Sequence, residues 1–248
     1  MNPIVWQVDE VTSIDSTNSW LVEQARHGAP EGRAILAGFQ EAGRGRLDRS
    51  WEAPASSAML LSLLLRPASL KAASWSTSAV ALAVRAALAR LCGVRPQLKW
   101  PNDLVVDDEK LGGLLAELVS DNPPAVVVGV GVNLTTSPPE LAATSVLATC
   151  GVTLWPRALC DIVLEEVERR RDSLDSEKGL ATLRDEYRRA SATIGRSVRV
   201  TLLDETLVGE ALDVDETGAL VVDVDGEPRA FAAADVVHVR AQTMTGDQ

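Results

Sequence analysis

The stretch LKWPNDLVVDDEKLGGLLAELV, residues 98–119, decides the fold class of this chain. It contains two runs with β-strand composition, 98–106 and 113–119, and a short acidic link at 107–109. A parallel crossover needs about a dozen residues or more, so this link permits only an antiparallel connection. We therefore predict a β-hairpin. The hairpin brings three polar side chains together: Asn102, Asp103 and Lys110.

The rest of the chain before residue 193 alternates between strand-like and helix-like segments. Further strands are predicted at 34–39, 58–65 and 125–134, and helices at 16–26, 74–91 and within 156–192. With the hairpin, these segments predict an α/β (α+β) domain with a mixed sheet over residues 1–192. From 193 to 248, short alternating runs separated by turn formers predict a small all-β, barrel-like domain.

Composition and charge narrow the classes of function. The 248 residues carry a formal net charge of -11, which argues against nucleic acid and membrane partners because both favour a basic face. Residues 1–10 lack the features of a signal peptide, and no apolar run is long enough to span a bilayer, so we expect a cytoplasmic protein. Cys92, Cys150 and Cys160 have no metal-ligand or redox spacing and are interpreted as core residues.

The most concentrated positive charge lies in GRGRLDRSW, residues 43–51. Glycine on each side of Arg44 lets the backbone approach a ligand closely, and guanidinium groups suit pairs of phosphate oxygens. Polyphosphate binding is therefore one interpretation of this loop. A solvated surface loop and an RNA-binding fragment are the alternatives, and the spacing matches neither a Walker loop nor a dinucleotide-binding fingerprint.

The predicted hairpin carries a second group with chemical potential. A carboxylate within reach of a lysine, such as Asp103 near Lys110, can hold magnesium or orient the ammonium group in phosphoryl or acyl transfer. A structural hairpin with an ordinary ion pair is the alternative. Gly112 and Gly113 favour the functional interpretation, because glycine within a strand often marks close approach of a ligand or of another backbone.

A third group, Ser16-Thr17-Asn18, precedes the first predicted helix. These residue types are favoured at helix N-caps, which is the structural interpretation. They also offer neutral donors and acceptors to an uncharged polar ligand, and Gln40, at the end of an apolar strand, would add another.

Taken together, the motifs resemble the biotin protein ligases. That family carries a Ser-Thr-Asn stretch, a Gly-Arg-Gly-Arg-x-x-Arg-x-Trp loop, a Lys-Trp-Pro-Asn-Asp strand and a Lys-x-x-Gly-x-x-x-Glu strand, in this order. All four occur here, at 16–18, 43–51, 99–103 and 110–117. The resemblance extends from about residue 10 to residue 240. It implies a class II synthetase-like, SH2-like catalytic domain and an SH3-like C-terminal domain.

The resemblance also implies a two-step reaction. Biotin attacks the α-phosphate of ATP and pyrophosphate leaves; a lysine of a carrier domain then attacks the acyl-adenylate and AMP leaves. The arginine loop would neutralise the phosphates and close over the adenylate to exclude water. Magnesium would accompany ATP.

The resemblance assigns roles to individual residues of this chain. The chemistry would fall to Lys110, Arg46, Asp103 and Arg44. Biotin would be bound by Ser16, Thr17, Asn18, Gln40, Gly43, Arg44, Gly45, Arg46, Lys110, Gly113 and Leu115. The nucleotide would contact Arg44, Arg46, Arg49, Trp51, Asn102, Lys110, Asn133 and Arg240. Asp103 would be the metal ligand.

The expected protein partner is a biotin carboxyl carrier domain of an acyl-CoA or pyruvate carboxylase, and the expected state is a monomer or a weak homodimer. Some bacterial members begin with a helix-turn-helix. Because the first motif here starts at residue 16, we expect a ligase without a repressor function. The alternative within the class is a lipoate or octanoate ligase, whose acyl pocket would offer apolar surface in place of hydrogen-bonding groups.

Overall fold

The computed structural model describes residues 4–47, 49–138, 142–202, 205–232 and 235–239. Its centre is a seven-stranded sheet with the strand order β1-β2-β3-β7-β6-β5-β4. The strands are β1 (Gln7–Val11), β2 (Arg33–Ala37), β3 (Ala58–Leu65), β4 (Gln97–Lys99), β5 (Asp103–Val106), β6 (Glu109–Asp121) and β7 (Pro124–Asn133). β1 and β2 are parallel and the other neighbours are antiparallel, which confirms the mixed sheet.

The hairpin prediction holds, with one correction. The single strand predicted at 98–106 is two short strands, β4 and β5, which pair with each other on either side of Trp100-Pro101. Proline has no N–H to donate, so it ends the first ladder, and the chain reverses there. The peptide bond between Trp100 and Pro101 is cis. β5 then pairs with β6 through the turn at Asp107-Asp108, as the short link requires.

Helices cover both faces of the sheet unequally. On one face, α3 (Ser76–Cys92) and α5 (Pro156–Arg171) pack against the sheet and against each other, and they bury the main apolar core. On the other face, α1 (Thr17–Arg26) covers only one end, through Leu21, Val22 and Ala25. The described residues also form α2 (Leu70–Ser74), α4 (Val146–Cys150), α6 (Glu177–Ala190) and a 3-10 helix at Asp172–Asp175. The uncovered part of this second face is available for a cleft.

The C-terminal region forms a five-stranded antiparallel sheet in the order β11-β10-β9-β8-β12. Its strands are β8 (Ser197–Thr201), β9 (Thr206–Val214), β10 (Leu220–Val224), β11 (Glu227–Phe231) and β12 (Asp235–His238). β11 was not predicted from the sequence, because its residues 227–230 are exposed and include Pro228. β1 was not predicted either, because it is a half-exposed strand at the edge of the large sheet.

The small sheet is fastened to the large domain by several polar contacts. Trp75 Nε1 donates to Glu216 O at 2.9 Å, and Trp100 Nε1 donates to Gly218 O at 3.1 Å. Arg184 Nε donates to Val214 O at 2.8 Å from α6. In the described parts of the chain, no helix combines the length and the apolar character that crossing a membrane would demand.

Candidate active site

A cleft of about 620 Å³ opens on the uncovered face of the large sheet. Its floor consists of alternate residues of β3, β7 and β6, because every second side chain of a strand points to the same face. Gly129 and Gly131 on β7 pair with Ser62 and Leu60 on β3, and Gly131 pairs with Gly113 on β6. The missing side chains make room for other side chains of the site: Asn18 lies against Gly129, and the Trp51 ring lies against Gly131.

One end of the cleft is closed by the start of α1. Ser16 is the N-cap of this helix and accepts from Ser19 N at 3.4 Å. Thr17 donates from its backbone N–H and from its hydroxyl to Gln40 Oε1, both at 2.8 Å. The structural and the functional interpretations of these residues therefore both apply, since Ser16, Thr17 and Gln40 also line the cleft.

Asn18, next to them, uses its side-chain amide within the protein. Its Nδ2 donates to Leu115 O and to Glu117 Oε1, both at 3.0 Å, and its Oδ1 accepts from Ser62 Oγ at 2.6 Å. A Cβ at Gly129 would lie 2.2 Å from Oδ1, so this side chain fits only against glycine. Both amide hydrogens are committed to the protein. Asn18 thus shapes the pocket wall and has no N–H left for a ligand.

The arginine loop folds into a small hairpin over the cleft. Arg44 and Ser50 form an antiparallel bridge, and Gly45 N donates to Arg49 O at 2.7 Å. At the base, Trp51 N donates to Gly43 O at 2.9 Å. A Cβ at Gly43 would lie 2.3 Å from Trp51 O, which explains the glycine at this position.

Two arginines of the loop contact the sheet. Arg44 Nη2 lies 2.5 Å from Glu117 Oε1, and Arg46 Nη1 donates to Asn102 Oδ1 at 3.4 Å. Asn102 is itself held, because its Nδ2 donates to Leu114 O at 2.6 Å. Arg44, Arg46 and Arg49 all line the cleft, so its roof is positively charged.

Lys110 lies at the centre of the cleft. Its Nζ is 2.7 Å from Asp103 Oδ1 and 5.6 Å from the centroid of the Trp51 ring. A Cβ at Gly113 would lie 3.3 Å from Nζ, and a Cβ at Gly131 would lie 2.5 Å from the Trp51 ring. The lysine is therefore held between a carboxylate and an aromatic face, just above the glycine floor.

The backbone of Lys110 is fixed by the segment at 142–144. Lys110 N donates to Ala142 O at 2.8 Å, and Thr144 N donates to Lys110 O at 2.9 Å. Asn133, which is buried, donates from Nδ2 to Thr144 O at 3.0 Å. Asn133 thus anchors this segment as well as lining the cleft.

A histidine lies at the junction with the small sheet, behind the Lys99 side of the cleft. His238 Nε2 is 3.2 Å from Thr193 Oγ1, and its Nδ1 is 3.3 Å from Arg196 Nη1. Burial lowers the pKa of His238 to about 4, assisted by the positive charges of Lys99 and Arg196 and opposed by Asp108. The ring is therefore neutral at pH 7.

The structure brings nearly all the residues of the sequence-based assignment into this one cleft. Its lining includes Ser16, Thr17, Asn18, Gln40, Arg44, Gly45, Arg46, Arg49, Trp51, Asn102, Asp103, Lys110, Gly113, Leu115 and Asn133. Gly43 lies at the base of the loop, beside an adjoining groove of about 560 Å³. Arg240 lies outside the described residues.

Sequence reasoning gave no role to several residues that build the site. Ser62, Gly129 and Gly131 come from strands whose adjacency follows from the topology and not from any local motif. Glu117 had a detectable signal, because it lies two and four residues beyond Leu115 and Gly113 on the same strand face.

Two family models match the chain. Residues 10–133 match the Biotin/lipoate A/B protein ligase family, and residues 193–239 match the Biotin protein ligase C terminal domain. The chain is also similar to a biotin protein ligase from Aquifex aeolicus solved in complex with biotin and ATP. The TM-score is 0.79 at 23% identity, over 95% of this chain and 99% of that one. At this identity the likeness shows a shared fold.

Two curated relatives are closer in sequence. The chain is 39% identical to the biotin–[acetyl-CoA-carboxylase] ligase of Mycobacterium tuberculosis, over 94% of this chain and 90% of that protein. It is 31% identical to the bifunctional ligase/repressor BirA of Escherichia coli, over 86% of this chain and 68% of that protein. These matches confirm the resemblance of the four motifs, and the chain belongs to the biotin protein ligase family.

Proposed function

We propose that the protein is a biotin–[biotin carboxyl carrier protein] ligase. It activates biotin with ATP to biotinyl-5'-AMP, and then transfers the biotinyl group to a lysine of a carrier domain. Family membership supports this activity. The single observation that carries it is the cleft itself, in which a glycine floor, Lys110 and three arginines enclose one space next to a neutral polar pocket.

Biotin occupies the end of the cleft at α1. The ureido ring is neutral and polar, and it suits the acceptors and donors of Ser16, Thr17 and Gln40, with Asn18 and Leu115 as pocket walls. The valerate chain runs over Gly113 toward Lys110. The biotin carboxylate thereby reaches the ammonium group, whose charge offsets part of the repulsion between carboxylate and phosphate.

The nucleotide phosphates lie between Lys110 and the arginine loop. A carboxylate oxygen of biotin forms a bond to the α-phosphorus as the bond to the β-phosphate oxygen breaks, and pyrophosphate carries the negative charge away. Arg46 and Arg49, which line the cleft roof, stabilise the charge that builds up on the leaving group. Trp51 and Asn133 border the remaining volume, where the nucleoside fits.

Mg²⁺ fits this site only as a companion of ATP. Among the described residues, no group of three or more His, Cys, Asp or Glu could hold a metal ion. Mg²⁺ in phosphoryl-transfer sites is bound by one or two carboxylates together with phosphates and water, which agrees with Asp103 and Asn102 as its protein contacts. When bound, the metal ion would neutralise phosphate charge.

In the second step the carrier lysine attacks the acyl carbon of the adenylate, AMP leaves, and the attacking amine loses a proton. Asp103 accepts this proton or orients the amine. The ion pair of Asp103 with Lys110 Nζ at 2.7 Å supports this role, because it is a contact between the carboxylate and an ammonium group.

The remaining assignments follow from the same proposal. The catalytic domain comprises residues 1–192 with a class II synthetase-like, SH2-like fold, and residues 193–248 form an SH3-like domain that includes Arg240 as a nucleotide contact. The enzyme works in the cytoplasm as a monomer or weak homodimer, without nucleic acid or membrane partners. Its carrier belongs to an acyl-CoA or pyruvate carboxylase.

Lipoate or octanoate ligation is disfavoured, because the closed end of the cleft is built from hydrogen-bonding side chains. A lipoyl ring or an alkyl chain would place apolar surface against these polar side chains, where the biotin ureido group offers hydrogen-bonding atoms. The match to the biotin ligase C-terminal model also supports biotin.

The test is pyrophosphate exchange into ATP with biotin, lipoate or octanoate as the acid. We expect exchange with biotin alone. The matched control is Lys110→Ala, which removes the ammonium group from a partly exposed position and should lower the exchange rate about 100-fold or more while the protein stays folded. Exchange with lipoate or octanoate but not biotin would reassign the substrate, and exchange that survives in Lys110→Ala would remove this lysine from the mechanism.

A further inference from the structure

Glu117 is the point where the arginine loop and the biotin pocket meet. One oxygen, Oε1, accepts from Arg44 Nη2 at 2.5 Å and from Asn18 Nδ2 at 3.0 Å. These two donors come from segments that are far apart in sequence, the loop and the start of α1. A single carboxylate oxygen therefore joins the roof of the cleft to its closed end.

The two partners of Glu117 are held to different degrees by the rest of the protein. Asn18 is oriented by Leu115 O and by Ser62 Oγ, so its second N–H is held toward the carboxylate. Arg44 belongs to the loop hairpin through its bridge to Ser50. The firmly held element is thus the pocket wall, and the element that gains order from the carboxylate is the loop.

The pair contributes little to the stability of the fold. The side chains of Arg44 and Glu117 are 46% and 30% exposed, and ion pairs with such exposure add little to the free energy of unfolding. The pair instead affects the glycine-containing loop, whose backbone hydrogen bonds at residues 43–51 are formed within the loop itself. Glu117 also offsets the positive charge of the Arg44 guanidinium group.

We propose that Glu117 is a positioning residue that latches the arginine loop closed through Arg44 and links this closure to the wall of the biotin pocket. The latch rests on the proposed function for its role in retaining the adenylate. Its structural part, the ordering of the loop, is independent of the substrate. Closure by this pair excludes water from the reactive mixed anhydride.

Amide hydrogen exchange of ligand-free protein tests the ordering directly. In Glu117→Gln, we expect peptides spanning 43–51 to exchange about threefold faster, the factor that corresponds to loss of a partly exposed ion pair. Hydrogen exchange elsewhere in the protein should stay unchanged, since the side-chain oxygen of the introduced glutamine can still accept from Asn18 Nδ2. The matched control is Glu205→Gln, which removes another exposed ion pair, to Arg229 on the small sheet. Unchanged exchange of 43–51 would overturn the latch.

Release of the adenylate gives a second, kinetic measurement. After incubation with biotin and ATP, the Glu117→Gln protein should release biotinyl-AMP about threefold faster than the wild type in low salt. Raising NaCl should remove this difference, because salt screens the wild-type pair. A merely structural role predicts no such salt dependence. Loop exchange that responds as expected in a protein forming no biotinyl-AMP would uphold the latch and refute the proposed function.

Discussion

Two short stretches of the chain each carry three arginines, and the structure uses them in opposite ways. In the loop, Arg44, Arg46 and Arg49 line the cleft. At the end of α5, the side chains of Arg170 and Arg171 are only 15% and 11% exposed.

Arg170 and Arg171 each pair with two carboxylates, whereas the third arginine, Arg169, is mostly exposed and pairs with Glu166. Arg170 pairs with Glu166 at 2.9 Å and with Glu186 at 2.7 Å, and Arg171 pairs with Glu31 and Asp175, both at 2.6 Å. Dense positive charge in a sequence therefore does not distinguish a binding site from a structural network. What distinguishes them is whether the fold encloses the side chains, as it does for Arg170 and Arg171, or places them along an open cleft, as it does for the loop arginines.

The comparison predicts that a loop arginine governs chemistry and not stability. Arg46→Ala should lower the rate of biotinyl-AMP formation about 100-fold, because it removes a preorganised positive group at the phosphates. It should also speed loss of the adenylate, while the free energy of unfolding changes by about 1 kcal/mol or less. Single-turnover kinetics and denaturant titration measure the two quantities. Arg229→Ala, an exposed arginine of the small sheet, is the control, and a normal rate in Arg46→Ala would break the comparison.

The opposite result is expected in the α5 network. Burial would raise the pKa of Glu166, but hydrogen bonds from Arg170 and Arg90 outweigh this and hold it below its usual range. Glu166→Ala leaves these arginines without that carboxylate and should lower the free energy of unfolding by about 3 kcal/mol. Adenylation per folded molecule should be unchanged. Glu165→Ala, which alters an exposed partner of the same Arg90, is the control and should have little effect.

A smaller effect is expected at His238, at the junction between the large domain and the small sheet. The pKa of His238 is about 4 in the folded protein and about 6.5 in the unfolded chain, so the unfolded state binds more protons between these values. Stability is therefore lost as the pH falls from 7.5, by about 2 kcal/mol at pH 5 from this group alone. His238→Gln should lose correspondingly less stability over that range in denaturant titrations.

The matched control for this pH dependence is His27→Gln. His27 is the other histidine of the chain, and its side chain is 71% exposed. If His27→Gln reduced the acid sensitivity as much as His238→Gln does, the assignment to the buried ring would be wrong.

Local features of the sequence predicted the site better than they predicted its framework. The link at 107–109 forced the hairpin, and this alone brought Lys110 close to Asp103. The N-cap residues before α1 could also be predicted from the sequence, because capping depends on residues that are close together in the chain. The roles of Ser62 and Gly129 could not be predicted in this way. They depend on the pairing of β3 with β7, which places the Ser62 hydroxyl within hydrogen-bonding distance of Asn18.

Two edge strands were not predicted from the sequence for a different reason. β1 and β11 lie at sheet edges and leave many side chains exposed, so they lack the apolar alternation by which strands are recognised. Asn18 shows a further limit. Its residue type was compatible with a hydrogen bond to the ligand or with lining the pocket, and only the structure shows that it lines the cleft while Leu115 and Glu117 take its amide hydrogens.

The two indole contacts at the domain junction also bear on how this chain can be divided. Trp75 and Trp100 both donate to carbonyls in the turn at 216–218, and Trp100 precedes the strand that carries Asp103. A gene fragment ending at residue 192 would remove the acceptors of both indoles and uncover the side of the cleft that Trp100 lines. Fragment complementation or circular permutation should therefore open the chain at an exposed turn such as Asp225-Gly226. The two indoles and the turn at 216–218 that accepts their hydrogen bonds then stay in one fragment.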